Sequence, residues 1–128
     1  WMARLVYKFA MDNSEDGGCG GSLINKRYVL TAAHCCLDDP DGMMMIHITF
    51  GEYDVHRTRD CFRGNCAPRV LEVEIENMIK HPLYRRKNFV SNDFCLLRLI
   101  QDVEFTDYIQ PVCLPSSIEN DEESLYNQ

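Results

Sequence analysis

Short runs that alternate apolar and polar residues set the rhythm of this chain. ARLVYKF (Ala3–Phe9) places an apolar or aromatic residue at every second position and is rich in β-formers, as a strand with one buried face requires. MDNSEDGG, which follows, has turn composition and predicts a loop. GSLINKRYVLTAA predicts a hairpin, with Ser22–Ile24 and Tyr28–Leu30 joined by the polar Asn25, Lys26 and Arg27. Ala32–Cys36 fits one helical turn, and the loop LDDPDG ends it at Pro40 and Gly42. MMMIHITFGEYD is a further strand, in which Met43, Met44 and Met45 read as core filler rather than as a metal-binding box. VLEVEIENMIKH alternates cleanly and predicts Val73, Ile75 and Ile79 as its inward set. DFCLLRLI is apolar almost throughout, the pattern of a strand packed on both faces. No segment has the period of a long helix. Short strands at this spacing predict an all-β domain, a small antiparallel barrel or sandwich.

A length of 128 residues, 45% of them hydrophobic, suits one domain with one modest core. No apolar run approaches the ~20 residues needed to cross a bilayer as a helix, so no membrane partner is expected. There is no basic-then-apolar secretory leader and no Met at position 1; Trp1 opens in mid-pattern, so a cut or processed N-terminus is expected. The net charge of −7 argues against a nucleic-acid partner, which would call for a basic face. Part of that acid is local, in ENDEE (Glu119–Glu123), which reads as a solvated loop or tail. Arg85, Arg86 and Lys87 read as an exposed basic loop.

The seven cysteines change the picture more than the charge does. Cys19, Cys35, Cys36, Cys61, Cys66, Cys95 and Cys113 form no paired C-x-x-C knuckles, which argues against a zinc ribbon. Cys61 and Cys66 enclose FRGN, a turn-like insert that a local disulfide would close. So many cysteines imply an oxidising, extracellular setting, and the odd count leaves one free or paired outside the segment. In LTAAHCC, His34 sits behind two alanines and ahead of two thiols. Taken alone it has two readings: a buried histidine with a backbone partner beside a disulfide, or a reactive imidazole.

Three blocks together carry a resemblance. CGGSLINKRYVLTAAHC (Cys19–Cys35), SNDFCLLRL (Ser91–Leu99) and IQPVCLP (Ile109–Pro115) resemble, in order and separation, the N-terminal half of a trypsin-like serine protease. The resemblance covers essentially the whole chain. It implies an incomplete peptidase domain over 1–128: the N-terminal antiparallel Greek-key β-barrel of the chymotrypsin-like two-barrel fold. It also implies that His34 is the general base and acid and that Asp93 orients it, because a serine hydroxyl needs a base to take its proton and a carboxylate to fix the base's tautomer. A Cys19–Cys35 disulfide would pin the histidine turn to the preceding strand, as in the family. Ser91, two residues before Asp93, would share its face in a strand and either bond the carboxylate or be a plain loop serine. His47, His56 and His81 lack such support and are expected to be structural or exposed.

The sequence also departs from the family's pattern. It has no GDSGG block and no glycine after Gly64, and no Ile-Val-Gly-Gly type segment precedes Trp1. These 128 residues alone are therefore expected to hydrolyse nothing.

GEYDVHRTRDCFRGNC (Gly51–Cys66) resembles the calcium loop of trypsin-like proteases. Glu52 and Asp60 would give carboxylates, and Asp54 and Arg57 backbone oxygens, to a structural calcium that wants six or more hard ligands at about 2.3–2.6 Å. The alternative is an exposed acidic loop closed by a disulfide without metal. The Cys61/Cys66 insert is most like those of arthropod clip-domain proteases of the easter-like and prophenoloxidase-activating type. That likeness implies a secreted zymogen acting on a protein substrate, with an upstream activating protease and a serpin-type inhibitor as further partners. Cys113 would be linked to a segment upstream of Trp1. Cys36 and Cys95 each follow a predicted site residue by two positions, so they are either bridged to each other or two buried free thiols. A non-catalytic serine protease homolog, acting as a cascade cofactor, is the alternative to an enzyme.

Overall fold

A computed structural model of the chain describes residues 1–51, 61–66, 70–85 and 90–115, the side chain of Phe62 excepted. Its strands are β1 (Met2–Phe9), β2 (Glu15–Leu23), β3 (Tyr28–Thr31), β4 (Met43–Phe50), β5 (Cys61–Phe62), β6 (Asn65–Cys66), β7 (Leu71–Lys80) and β8 (Cys95–Leu99). Six of them close into an antiparallel barrel in the order β1-β2-β3-β8-β7-β4, which β4 completes by pairing with β1. Closure removes the open edges that a flat sheet of these strands would leave. The interior is filled mainly by alternate residues of the strands, among them Leu5, Tyr7, Leu23, Val29, Ile48 and Leu97. The all-β reading holds.

The turn-rich segment after β1 is shorter than its composition predicts. Glu15, Asp16 and Gly17 already pair with Lys8, Tyr7 and Val6, so β2 begins inside the expected loop. Cross-strand pairing overrides weak local preference here. Gly21 on β2 has a steric reason as well: a Cβ there would lie 2.6 Å from Val29 Cγ1 and 3.1 Å from the Leu30 carbonyl oxygen. Only glycine lets β2 and β3 approach this closely.

Two further expectations need correction. Val73 is buried and Ile75 is half-buried, but Ile79 is 44% exposed. The register with β8 shifts between Ile75 and Asn77, so one extra residue on β7 reverses the alternation and sends Met78 inward in place of Ile79. β8 is packed on one face rather than two: Cys95, Leu97 and Leu99 are buried, whereas Arg98 points outward. Its Nε lies 2.7 Å from Glu76 Oε2, and its guanidinium lies 5.9 Å from the centre of the Tyr28 ring.

β5 and β6 form a separate hairpin, with Cys61 opposite Cys66 and the two joined by a disulfide. The turn residues Arg63 and Gly64 both have positive φ (50° and 83°), as a two-residue primed turn demands.

Candidate active site

β3 ends at Thr31, and Ala32 stays extended before Ala33–Cys35 close a single 3₁₀ turn. Cys35 N donates to Ala32 O at 3.1 Å and Cys36 N to Ala33 O at 3.2 Å. Ala33 is buried against the barrel, where a larger side chain would lift the turn, and His34 points outward with 54% of its side chain exposed. Two anchors hold the turn from below. Cys35 is disulfide-bonded to Cys19 on β2, and its carbonyl accepts a 2.8 Å hydrogen bond from the Tyr7 hydroxyl inside the barrel. Burial pushes the Tyr7 phenol up to about 12, so it stays a neutral donor at any physiological pH.

Asp93 stands on the stretch that leads into β8. Asn92 before it has φ +54°, a left-handed conformation that asparagine tolerates better than most residues. The Asn92 amide donates to Leu83 O at 3.2 Å, Phe94 N to Asn92 O at 2.8 Å, and His81 N to Phe94 O at 2.8 Å. His81 Nδ1 in turn accepts from Leu83 N at 3.1 Å, which gives this histidine a structural place. Residues 91–93 therefore turn rather than run as a strand, and Ser91 pairs by its backbone with Arg85. The shared face expected for Ser91 and Asp93 is not formed.

The fold brings His34 and Asp93 together from 59 residues apart. The His34 backbone N–H donates to Asp93 Oδ1 at 2.9 Å, and Nδ1 of the ring lies 2.7 Å from Oδ2. One carboxylate thus holds both the main chain and the side chain of the same residue. The bond to the His34 ring is the main reason that the Asp93 carboxyl lies below the usual carboxylate range, with desolvation working against it. An ionised carboxylate only accepts, so Nδ1 carries the proton and the lone pair of the neutral ring falls on Nε2. The result is an exposed imidazole with a fixed tautomer, able to take a proton from a hydroxyl brought to Nε2.

Cys36 is disulfide-bonded to Cys95, with Cα atoms 6.6 Å apart and both residues buried. Cys113 is exposed and unbridged; beside it, Val112 N donates to Leu23 O at 2.8 Å. The sulfurs of Cys19 and Cys35 lie within 4.8 Å of a ring nitrogen of His34. They are bonded to each other, so neither is a thiolate free to ligate a metal. The calcium ligands expected at Glu52, Asp54, Arg57 and Asp60 lie outside the described residues, as does His56. His47 lies on β4 opposite Glu74, away from the dyad.

Two supports of the dyad, Tyr7 and Asn92, are not legible in the sequence. Tyr7 was visible only as an inward position of β1; nothing in the spacing showed that its hydroxyl reaches Cys35. Asn92 acts through its left-handed backbone and its side-chain amide, for which the asparagine ahead of Asp93 was the one available signal.

Residues 1–126 match the family model described as Trypsin. The chain belongs to the trypsin family. Among curated relatives of this family, it is 42% identical over 127 residues to Serine protease ea of Drosophila melanogaster, covering 92% of this chain and 32% of that protein. It is 38% identical over 125 residues to the Spaetzle-processing enzyme of the same organism, covering 91% and 31%. Among solved structures, that of the Drosophila Grass clip serine protease of the Toll pathway superposes with a TM-score of 0.79 at 36% identity, covering 90% of this chain and 32% of that one. The barrel is therefore a trypsin-family barrel, and the chain spans about a third of the length of these relatives.

Proposed function

We propose that the protein carrying this trypsin-family segment is a serine endopeptidase, secreted as a zymogen, that cleaves a peptide bond in another protein of an extracellular cascade. The observation that supports this best is the 2.7 Å contact between His34 Nδ1 and Asp93 Oδ2, with the ring open to solvent on its other side. In this reading His34 Nε2 takes the proton of a serine hydroxyl as its oxygen adds to the substrate carbonyl. The imidazolium then gives that proton to the leaving amine, while Asp93 stabilises its charge. Water repeats the sequence to release the acyl group. The serine would come from outside these 128 residues, which alone would be inactive.

The three disulfides favour an extracellular location, and no helix among the described residues is long and apolar enough to cross a membrane. The similar Grass protease is one of the Toll pathway, which favours a cascade role; an activating protease and a serpin-type inhibitor are the further partners of this reading. In the same reading Cys113 is tethered to a segment upstream of Trp1. The hard oxygen donors of Glu52, Asp54, Arg57 and Asp60 would hold a structural calcium, which takes no part in the chemistry. Its test is a rise in melting temperature with calcium that a chelator reverses.

A fluorophosphonate probe, which labels only an activated serine, tests the catalytic claim on the activated full-length protein. Labelling that Asp93→Asn lowers by about 10⁴-fold in rate supports an enzyme. A folded full-length protein that never labels is a non-catalytic homolog acting as a cascade cofactor.

A further inference from the structure

Cys35 and Cys36 leave the same 3₁₀ turn toward different strands. Cys35 is bonded to Cys19 on β2 and Cys36 to Cys95 on β8. Cys36 follows His34 by two residues and Cys95 follows Asp93 by two, so bridge and dyad both span 59 residues. The bridge is buried, whereas the His34–Asp93 contact is partly open to solvent.

Little else joins the two short segments on which the dyad stands. The β3–β8 ladder stops at Thr31 opposite Cys95, before the turn begins. Beyond that point the turn bonds to itself, to Tyr7 on β1, and through Leu37 to Met45 on β4. Among the described residues, the hydrogen bonds from the turn to the Asp93 stretch are those that the Asp93 carboxylate itself accepts. With His34 54% and Asp93 22% exposed, those bonds compete with water and hold geometry weakly by themselves. Cys36 and Cys95, at 0% and 1% exposed, meet no such competition.

We propose that the Cys36–Cys95 disulfide is a positioning element for the His34–Asp93 pair. It fixes the distance between the turn that carries the imidazole and the stretch that carries the carboxylate, so that the dyad is set before substrate arrives. The proposal builds on the proteolytic reading of the site, but the geometry it concerns is measurable without catalysis.

The test uses the full-length protein with ¹⁵N-labelled histidine, His34 being assigned by loss of its signal in His34→Gln. The low-field Nδ1 proton bonded to Asp93 reports the dyad. Two bridge-free pairs are compared with the unaltered protein: Cys36→Ala with Cys95→Ala, and Cys36→Val with Cys95→Ala, which refills part of the lost volume. The expected result is a folded barrel in which this resonance is broadened or lost and the Asp93 carboxyl titrates at higher pH than in the unaltered protein. Leu97→Ala, which weakens β8 with the bridge intact, should keep the resonance. In the activated protease the bridge-free pairs should lower kcat by about 10- to 100-fold with KM unchanged.

An unchanged resonance in both bridge-free pairs overturns the proposal. Failure of both pairs to fold also overturns it, since the bridge would then serve the barrel as a whole. A protein that shows the resonance and its loss, yet hydrolyses no peptide, instead sinks the proteolytic reading and leaves the positioning role standing.

Discussion

The Tyr7 hydroxyl donates to the Cys35 carbonyl at 2.8 Å, linking the floor of the barrel to the residue that follows His34. Both partners are buried, so water cannot replace the bond when it is removed. The same carbonyl also accepts from Leu37 N at 3.0 Å and would keep one partner. Tyr7→Phe should therefore lower stability by about 1 kcal/mol rather than by the larger figure for a fully orphaned group. Urea unfolding of the two proteins, read from the midpoint at constant slope, checks this.

Acid should act through Asp93. Its carboxyl lies below the ordinary value of 3.8 because it accepts from His34. As the pH falls, the unfolded chain takes up that proton before the folded one does. The carboxylate's contribution is thus complete from about pH 5 upward and disappears as the pH drops through the lowered folded value. The gap in unfolding midpoint between the unaltered protein and Asp93→Asn should narrow as the pH falls from about 5 toward 2. A gap that failed to narrow over that range would contradict the assignment.

The register shift in β7 separates two residues that the bare alternation treats alike. Val73 is 2% exposed, whereas Ile79 is 44% exposed. Val73→Ala should cost about 2 kcal/mol, from two buried methyl groups and the cavity they leave. Ile79→Thr should stay within about 0.5 kcal/mol of the unaltered protein. Comparable losses at both sites would mean that the bulge is misplaced.

Gly21→Ala adds the smallest possible side chain where β2 and β3 run closest. Its methyl would meet Val29 and the Leu30 carbonyl at separations that backbone movement must relieve. A loss of about 1–3 kcal/mol is expected, measured as a fall in melting temperature. Gly64→Ala in the β5–β6 turn meets nothing within 4 Å, so any penalty there comes from its φ of +83° alone.

Alternation was a good guide wherever the sheet is regular. Ala3, Leu5 and Tyr7 point inward as their spacing demands, and the Asn25–Arg27 hairpin turn falls where it was expected. It failed where one residue breaks the count, at the bulge before Asn77, because a register shift depends on the partner strand rather than on the segment itself. It failed again at Glu15–Gly17, where pairing with β1 orders a stretch that composition assigns to a loop. The meeting of His34 with Asp93 was accessible only through the resemblance of whole motifs. No local pattern encodes a contact across 59 residues. The supports beneath it, Tyr7 and the left-handed Asn92, are properties of the folded backbone.

Adjacent half-cystines with distant partners also burden the path to this structure. Exchanging the mates of Cys35 and Cys36 would join Cys19 to Cys36 and Cys35 to Cys95, a change of a single position along the chain. Such a mispaired isomer would draw the wrong residue of the turn toward each strand and rotate the imidazole away from its carboxylate. Maturation must therefore discriminate between thiols that are neighbours in sequence, either as the bonds close or by exchange afterwards.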